Sequence, residues 1–449
     1  MNSNPPLMIS VAGIRGIVGA SLTPPVVARF AAAFARECGA GPIVVGRDAR
    51  ASGPLVYHAV AAGLRGAGRD VVDLGLATTP TTQVAVEHLG AAGGVIITAS
   101  HNPAEWNALK FLSARGEFLG PAEGAAVRAR FEADRDLWEG FDRLGGERAE
   151  EHALEWHLER VLALDVLDVE AVRKRALTVA VDGCSSVGGL AVPLLLQALG
   201  ATVVELDCVP DGRFRRELEP LPEHLARLGR VTHESGADFG VALDPDADRA
   251  AFVDHRGQPL GEEYTLALGV QVALASKSGP VVTNLSTSRI VDSVCARAGV
   301  PLHRTPVGEA HVVAGMRARG AVVGGEGNGG VILPAAHYGR DGLVAVALVA
   351  QALAAPGATL RALADALPRY AMVKRKIARP EEPWEPQAAR LRQGFRGYAV
   401  DDSDGLRFSR DEEWVHVRPS GTEPVLRLIA ESPDEARTLA LLELARLAL

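Results

Sequence analysis

Apolar and polar positions follow a strand–helix–strand rhythm that recurs three times along the chain. Pro42-Ile43-Val44-Val45 is a short β-branched run, followed by a polar loop with Ser52, an alanine-rich helical stretch, Gly68, and the run Val71-Val72-Asp73-Leu74. Residues 177–206 repeat the plan, with Leu177-Thr178-Val179-Ala180-Val181, a loop carrying Ser185-Ser186, a helix to Leu199-Gly200, and a strand from Thr202 to Leu206. Residues 280–304 repeat it again, from Pro280-Val281-Val282-Thr283-Asn284 through Ser286, Ser288 and a helix to Ala298-Gly299, ending in Val300 to His303. Strand, serine-bearing loop, helix, glycine and strand make the βαβ unit of a parallel sheet. Three copies, with helices of equal length and a shared closing glycine, predict domain duplication.

Beyond Arg369 the rhythm changes to strands that alternate apolar and polar positions, closed by a helix from Asp434 to Leu447. The expected fold class is therefore α/β, with three similar α/β domains with mixed sheets in series plus a smaller α+β C-terminal domain. Charged stretches around Glu132–Glu159 and Asp254–Glu263 mark junctions. The expected divisions are 1–152, 153–257, 258–368 and 369–449, with a hinge near Leu367–Arg369. A length of 449 residues is too great for one core and agrees with three or four domains.

Composition narrows the class of protein. Apolar residues at 47% and charged residues at 23% give the balance of an ordinary globular chain. A net charge of −8 provides no basic field to offset phosphate repulsion, so nucleic acid and anionic membrane surfaces are excluded as general partners. An anionic small molecule needs only a few local arginines and stays open. Cys38, Cys184, Cys208 and Cys295 are scattered in or beside apolar stretches, which predicts buried free thiols in a reducing compartment. The N-terminus lacks a basic-then-apolar signal pattern. The run Leu343 to Ala355, interrupted by Gln351, is too short to span a bilayer. These features predict a cytoplasmic protein.

Four loops carry candidate chemistry. Thr98-Ala99-Ser100-His101-Asn102-Pro103 follows the buried run Gly94-Val95-Ile96-Ile97, where the strands of α/β sheets spill into functional loops. Asn102-Pro103 forces a turn that would hold the Ser100 hydroxyl out at the loop tip; by itself, such a serine is turn chemistry. Asp244-Pro245-Asp246-Ala247-Asp248-Arg249 follows Phe239-Gly240-Val241-Ala242-Leu243 and places three carboxylates at alternate positions. They can converge on one hard divalent cation, and Mg²⁺ suits oxygen ligands shared with phosphate. Gly324-Gly325-Glu326-Gly327-Asn328-Gly329-Gly330, with five glycines in seven residues, lets backbone approach a ligand while Glu326 and Asn328 offer groups for sugar hydroxyls. A flexible turn explains that segment about as well. Arg418-Pro419-Ser420-Gly421-Thr422-Glu423-Pro424, with Arg427 nearby, can form an anion cradle or a polar hairpin.

Taken in order, TASHNP, DPDADR, GEGNGG and RPSGTEP resemble the phosphoserine, metal, sugar and phosphate loops of the α-D-phosphohexomutase family. Gly13-Ile14-Arg15-Gly16 is similar to that family's N-terminal signature, and the resemblance covers nearly the whole chain. It implies that Ser100 carries a phosphate and that one Mg²⁺ is held by Ser100, Asp244, Asp246 and Asp248. It also implies conversion between hexose 6-phosphate and hexose 1-phosphate through a hexose 1,6-bisphosphate, which doubles as activator. Arg418, Ser420, Gly421, Thr422 and Arg427 would hold the phosphate that is not reacting, and Glu326 and Asn328 the sugar. Arg15 and Arg249 would balance charge around the transferring group. Lys110, which stands where the family has a lysine near the phosphate, is expected to stabilise charge or transfer a proton. His101 is expected to orient the phosphoserine.

The chain departs from the family at one point. Many members end the sugar loop in Ser-Gly-His, whereas here it reads Asn328-Gly329-Gly330, so acid–base work falls elsewhere. His311 and His337 lie in the same domain without a sequence reason to reach the site. The Asn-Gly-Gly form resembles a subgroup associated with phosphoglucosamine or phosphomannose substrates, which makes a phosphoglucosamine mutase the leading expectation and a phosphomannomutase/phosphoglucomutase the next. Two other classes compete. A metal-dependent phosphatase would need no separate cradle, and a sugar-phosphate sensor would be expected to have lost Ser100, Lys110 or the aspartates. The residues leave the oligomeric state, the preferred hexose and the resting phosphorylation of Ser100 open.

Overall fold

A computed structural model describes residues 6–420 and 425–449. Their strands form four sheets in chain order. The first has seven strands in the spatial order Met8–Ser10, Gly13–Ile17, Trp106–Ser113, Gly93–Ile97, Ile43–Arg47, Val71–Leu76, Glu147–Ala149. Its centre is parallel, as βαβ crossovers require, and the strands from Gly13 and Trp106 run antiparallel to their neighbours. The second sheet (Ala250–Asp254, Phe239–Leu243, Thr178–Asp182, Thr202–Leu206) and the third (Leu302–Thr305, Val281–Asn284, Val323–Glu326, Gly330–Ile332) each have four strands, with one antiparallel edge. The fourth sheet, five antiparallel strands between Ala371 and Ser432, is backed by the helix Glu435–Leu447. The α/β class with mixed sheets and a smaller α+β unit at the C-terminal end is thus what the chain adopts.

The three repeats are present, but their helices are not of equal length. Gly53–Gly66, Gly188–Ala198 and Ile290–Ala298 have 14, 11 and 9 residues. What stays constant is the loop between strand and helix, five residues in each copy: 48–52, 183–187 and 285–289. Helix length follows the packing surface available, whereas the loop fixes where the crossover begins. After the helices, Gly68, Gly200 and Gly299 all adopt positive φ, +79°, +74° and +66°, as a left-handed helix exit demands.

The sheets do not all have separate cores. One apolar cluster runs from Val161 through Leu195, Phe239, Phe252, Leu268 and Leu348 to Leu367, joining the second and third sheets. The helix Gly342–Ala352, nearly all buried, lies at its centre. The first sheet and the fourth each have cores of their own. The Leu343–Ala355 run is thus a core helix, and among the described residues no helix is long and apolar enough to cross a membrane. All four cysteines are free; Cys184, Cys208 and Cys295 are buried, while Cys38 is half-buried.

Candidate active site

Ser100 lies just past the strand Gly93–Ile97 in a turn where its φ is +50°, an uncommon conformation for a residue with a side chain. The hydroxyl is not held out at a loop tip. Ser100 is buried, and its Oγ donates to Asp244 Oδ2 at 3.0 Å, across the boundary between the first and second sheets. Pairing with the loop that begins at Asp244 draws it inward. The turn is shaped by Arg50, wholly buried, whose guanidinium donates to the carbonyls of Ser100 (2.5 Å), Asn102 (2.6 Å), Pro103 (2.7 Å) and Trp106 (2.9 Å). Asp48 holds Arg50 Nε at 3.1 Å and accepts from Thr98 Oγ1 at 2.6 Å, and Thr98 Oγ1 in turn accepts from the Ser100 amide.

Lys110 sits in the middle of the strand Trp106–Ser113 and is mostly buried. Its Nζ lies 2.6 Å from Asp246 Oδ2 and 3.9 Å from Asp248 Oδ2. Gly13 pairs with Lys110 and Arg15 with Ala108, so Arg15 and Lys110 share one face of the first sheet. Arg15 donates to Asn102 Oδ1 at 2.7 Å, bracing the serine turn. His101 Nδ1 lies 3.4 Å from Ser100 Oγ. Burial, then the charges of Arg249 and Arg15, hold its imidazole well below the usual range, so it is neutral near pH 7.

Asp244, Asp246 and Asp248 are fully buried, with ligand atoms within 4.8 Å of one another, and the group could hold a metal ion. Burial and the charges of Asp248 and Asp246 hold Asp244 well above the ordinary carboxylate range. Burial also opposes the charge on Asp246, but Lys110 and Thr79 outweigh it and hold that carboxyl low. Asp246 Oδ1 and Asp248 Oδ1 have no hydrogen-bond partner. Two orphaned, buried carboxylate oxygens fit a hard cation, whose charge would remove the repulsion that raises Asp244. Arg249 flanks the cluster, its Nε 3.6 Å from Asp248 Oδ1 and 3.9 Å from Asp244 Oδ2.

The glycine-rich loop abuts this cluster, since the Ala250 amide donates to Gly329 O at 3.0 Å. Asn328 Oδ1 is buried and without a partner, which leaves it available to a ligand. Glu326 is more committed than expected. Its Oε1 accepts from Asn284 Nδ2 (2.7 Å) and the Gly308 amide (3.0 Å), and its Oε2 from Arg340 Nη1 (2.9 Å). Arg340, unremarkable in sequence, also reaches Asp248 and Glu309. His337 is engaged elsewhere: its Nε2 and that of His157 both lie on Asp341 Oδ2, at 3.1 and 2.8 Å.

In the fourth sheet Arg418 and Arg427 are directly paired across adjacent strands. Arg418 Nη1 lies 3.6 Å from Asp404 Oδ2, and the Ser420 amide donates to Val425 O. Gly421 and Thr422 lie outside the described residues. The sheet docks on the third through Ser286 Oγ to His416 Nδ1 (2.9 Å), the Arg289 amide to Glu431 (2.9 Å), Lys374 to Glu263 (3.1 Å) and the Val307 amide to Asp404 (3.0 Å). Glu263, missed in sequence, lies against Gly327 of the glycine-rich loop, and burial pushes its carboxyl up to about 7.

Comparison with known proteins bears on this arrangement. Four profiles described as phosphoglucomutase/phosphomannomutase match in order: alpha/beta/alpha domain I over residues 8–137, domain II over 156–257, domain III over 261–370 and the C-terminal domain over 372–447. A phosphoglucomutase/phosphomannomutase of Thermococcus kodakarensis is 37% identical over 444 residues, 96% of each chain. A protein of Methanopyrus kandleri named probable phosphoglucosamine mutase is 37% identical over 430 residues, 95% of this chain and 94% of that one. The crystal structure of a phosphoglucomutase/phosphomannomutase family protein from Burkholderia thailandensis superposes with a TM-score of 0.85 at 28% identity, covering 98% of both chains.

Proposed function

The chain belongs to the phosphoglucomutase/phosphomannomutase family and is a phosphohexomutase, and from that premise we propose that it moves phosphate between the 6- and 1-positions of a hexosamine through phosphorylated Ser100. One observation carries the reading. Ser100 Oγ, Lys110 Nζ and the two unpartnered aspartate oxygens belong to one buried cluster built from two sheets. A hydroxyl there is shielded from water, as a phosphate carrier must be and a hydrolytic nucleophile need not be.

The residues act in a consistent order. Arg50 fixes the turn that presents Ser100. Neutral His101 beside the hydroxyl can accept a hydrogen bond and orients it. A Mg²⁺ held by Asp244, Asp246, Asp248 and the phosphoserine would neutralise charge on the transferring phosphoryl group. Lys110 and Arg249 place fixed positive charge around that group, and Lys110 Nζ can donate a proton to the oxygen that phosphate leaves. Arg15 reaches the same turn from the neighbouring strand. Asn328 would bind a sugar hydroxyl through its open Oδ1. Arg418, Ser420, Gly421, Thr422 and Arg427 would anchor the distal phosphate, so that a hexose 1,6-bisphosphate can turn over and return its other phosphate to Ser100.

Glucosamine phosphate leads as substrate because the Asn328-Gly329-Gly330 loop and the Methanopyrus relative's name point the same way. The Thermococcus relative favours mannose and glucose phosphates as the second reading. Kinetics with glucosamine 6-phosphate, mannose 1-phosphate and glucose 1-phosphate, each primed with a hexose 1,6-bisphosphate, decide between them. Ser100→Ala should abolish turnover on all three with the fold intact by circular dichroism; retained turnover would sink the mechanism.

A further inference from the structure

Two of the three aspartates, Asp246 and Asp248, give one oxygen to the protein and keep the other without a donor, while both oxygens of Asp244 are engaged. Asp246 Oδ2 accepts from Lys110 Nζ and Thr79 Oγ1, both at 2.6 Å. Asp244 Oδ1 accepts from the Arg249 amide at 3.2 Å, and Asp244 Oδ2 from Ser100. Asp248 Oδ2 accepts from Arg340 Nη2 at 2.5 Å, while Asp248 Oδ1 is left without a hydrogen-bond donor. Arg340 is itself tightly held. Its Nη1 donates to Glu326 Oε2 and its Nε to Glu309 Oε2, both at 2.9 Å. The backbone beside it is pinned because the Asp341 amide donates to Val331 O at 2.9 Å and the Asp341 side chain caps the helix Gly342–Ala352. The three nitrogens of one buried guanidinium thus serve three carboxylates, one of them in the metal loop and another in the sugar loop.

Gly330 completes the arrangement. A Cβ at 330 would lie 2.3 Å from Arg340 Cδ and 2.8 Å from its Cγ, so the stem of Arg340 passes through the space that a side chain at 330 would fill. The missing histidine and the presence of Arg340 are one steric fact.

We propose that Arg340 is a positioning residue that confines Asp248 to single-oxygen coordination and so makes the cation site selective for a small octahedral ion over Ca²⁺; this rests on the reading of Asp244, Asp246 and Asp248 as the cation site. Mg²⁺ takes six ligands at about 2.1 Å and tolerates little distortion, whereas Ca²⁺ takes more oxygens at longer distance and readily accepts both oxygens of one carboxylate. With Asp248 Oδ2 clamped, that second oxygen is withheld. Freed from Arg340, the carboxylate can turn both oxygens to the ion, and Ca²⁺ gains more than Mg²⁺.

Calorimetric titration of the full-length chain with Mg²⁺ and with Ca²⁺ tests this. Arg340→Gln removes the clamp together with a positive charge, which raises affinity for both ions; the ratio of the two dissociation constants cancels that common effect. Gly330→Ala keeps every charge and displaces the arginine by contact alone, and it carries the test if three buried acids without their partner prevent Arg340→Gln from folding. In each variant that melts cooperatively, the preference for Mg²⁺ over Ca²⁺ should fall by roughly tenfold, the lower end of the effect of partners that orient metal ligands. An unchanged ratio would overturn the role of Arg340 alone. Wild-type protein that takes up neither ion, or takes them up as well after Asp248→Asn, would overturn the cation site itself.

Discussion

At the scale of single residues, the site depends on arginines as much as on the serine and the aspartates. Arg50, buried with Asp48, holds four carbonyls and that carboxylate. Burial raises the Asp48 carboxyl, and the Arg50 charge is the main force that opposes this. Arg50→Met should therefore cost about 3–5 kcal/mol in urea denaturation, because it strands a buried carboxylate, and Arg50→Lys should recover little, since an ammonium cannot span the fork. A loss under 1 kcal/mol, on the order of an exposed ion pair, would contradict the clamp. Ser100 and the three aspartates were legible because each motif is contiguous. Arg50 and Arg340 were not: Arg340 meets Asp248 across 92 positions, and nothing local marks it. The serines of the repeat loops, which marked the repeat in the sequence, have structural partners: Ser52 accepts from Asn107, Ser186 donates to Pro245 O, and Ser286 meets His416. They join loops and sheets.

At the scale of elements, the repeats were legible from β-branched runs and closing glycines, while helix lengths were not, because packing decides where a helix starts to lose partners. The five-residue loop is the constant measure, and it brings the first and second copies together where the Ala49 amide donates to Ser186 Oγ at 3.3 Å. Pairing in the fourth sheet carries its own consequence. Arg418 and Arg427 face each other in register, and like charges directly opposed destabilise a strand pair. Burial, and then Arg427, lower the affinity of Arg418 for its proton against the pull of Asp404. Inorganic phosphate should relieve this and raise the melting temperature of the wild type by a few degrees, which corresponds to roughly 1 kcal/mol in a domain of this size. Arg418→Gln should melt at the same temperature with and without phosphate; an equal rise in both would place the anion elsewhere.

At the scale of the whole molecule, four sheets meet through different chemistry. The second and third share apolar contact, whereas the fourth meets the third through polar groups. His416 lies in that seam, its Nε2 donating to Asp404 O at 2.7 Å and its Nδ1 accepting from Ser286. Burial, against the pull of Asp404 and with Arg418 and Arg407 nearby, holds the imidazole down to about 4 from an ordinary 6.5. A depressed histidine contributes stability that is complete above pH 6.5 and lost as pH falls toward 4. Melting curves across that window should show the wild type losing more than His416→Gln; parallel losses would exclude the seam as the acid-sensitive contact. Closure belongs to this scale as well. The segment between Asp365 and Ala371 links the third and fourth sheets where a hinge is expected, so solution scattering should show a smaller radius of gyration with hexose 1,6-bisphosphate than without, and identical curves would count against the motion.

The unbroken apolar cluster beneath the second and third sheets also sets what can be exchanged between relatives. The loops Asp244–Asp248 and Gly324–Gly330 cannot be traded separately, because both stand on a single core and Arg340 stitches them together. Residues 371–449 are a different kind of part, with a core of their own and a polar rim that a recipient needs to match at only a few positions. Chimaeras that graft this segment should fold where grafts of residues 261–370 do not. A lineage could therefore exchange this C-terminal unit by recombination, while any change in how the two loops face each other has to arise by substitution in place.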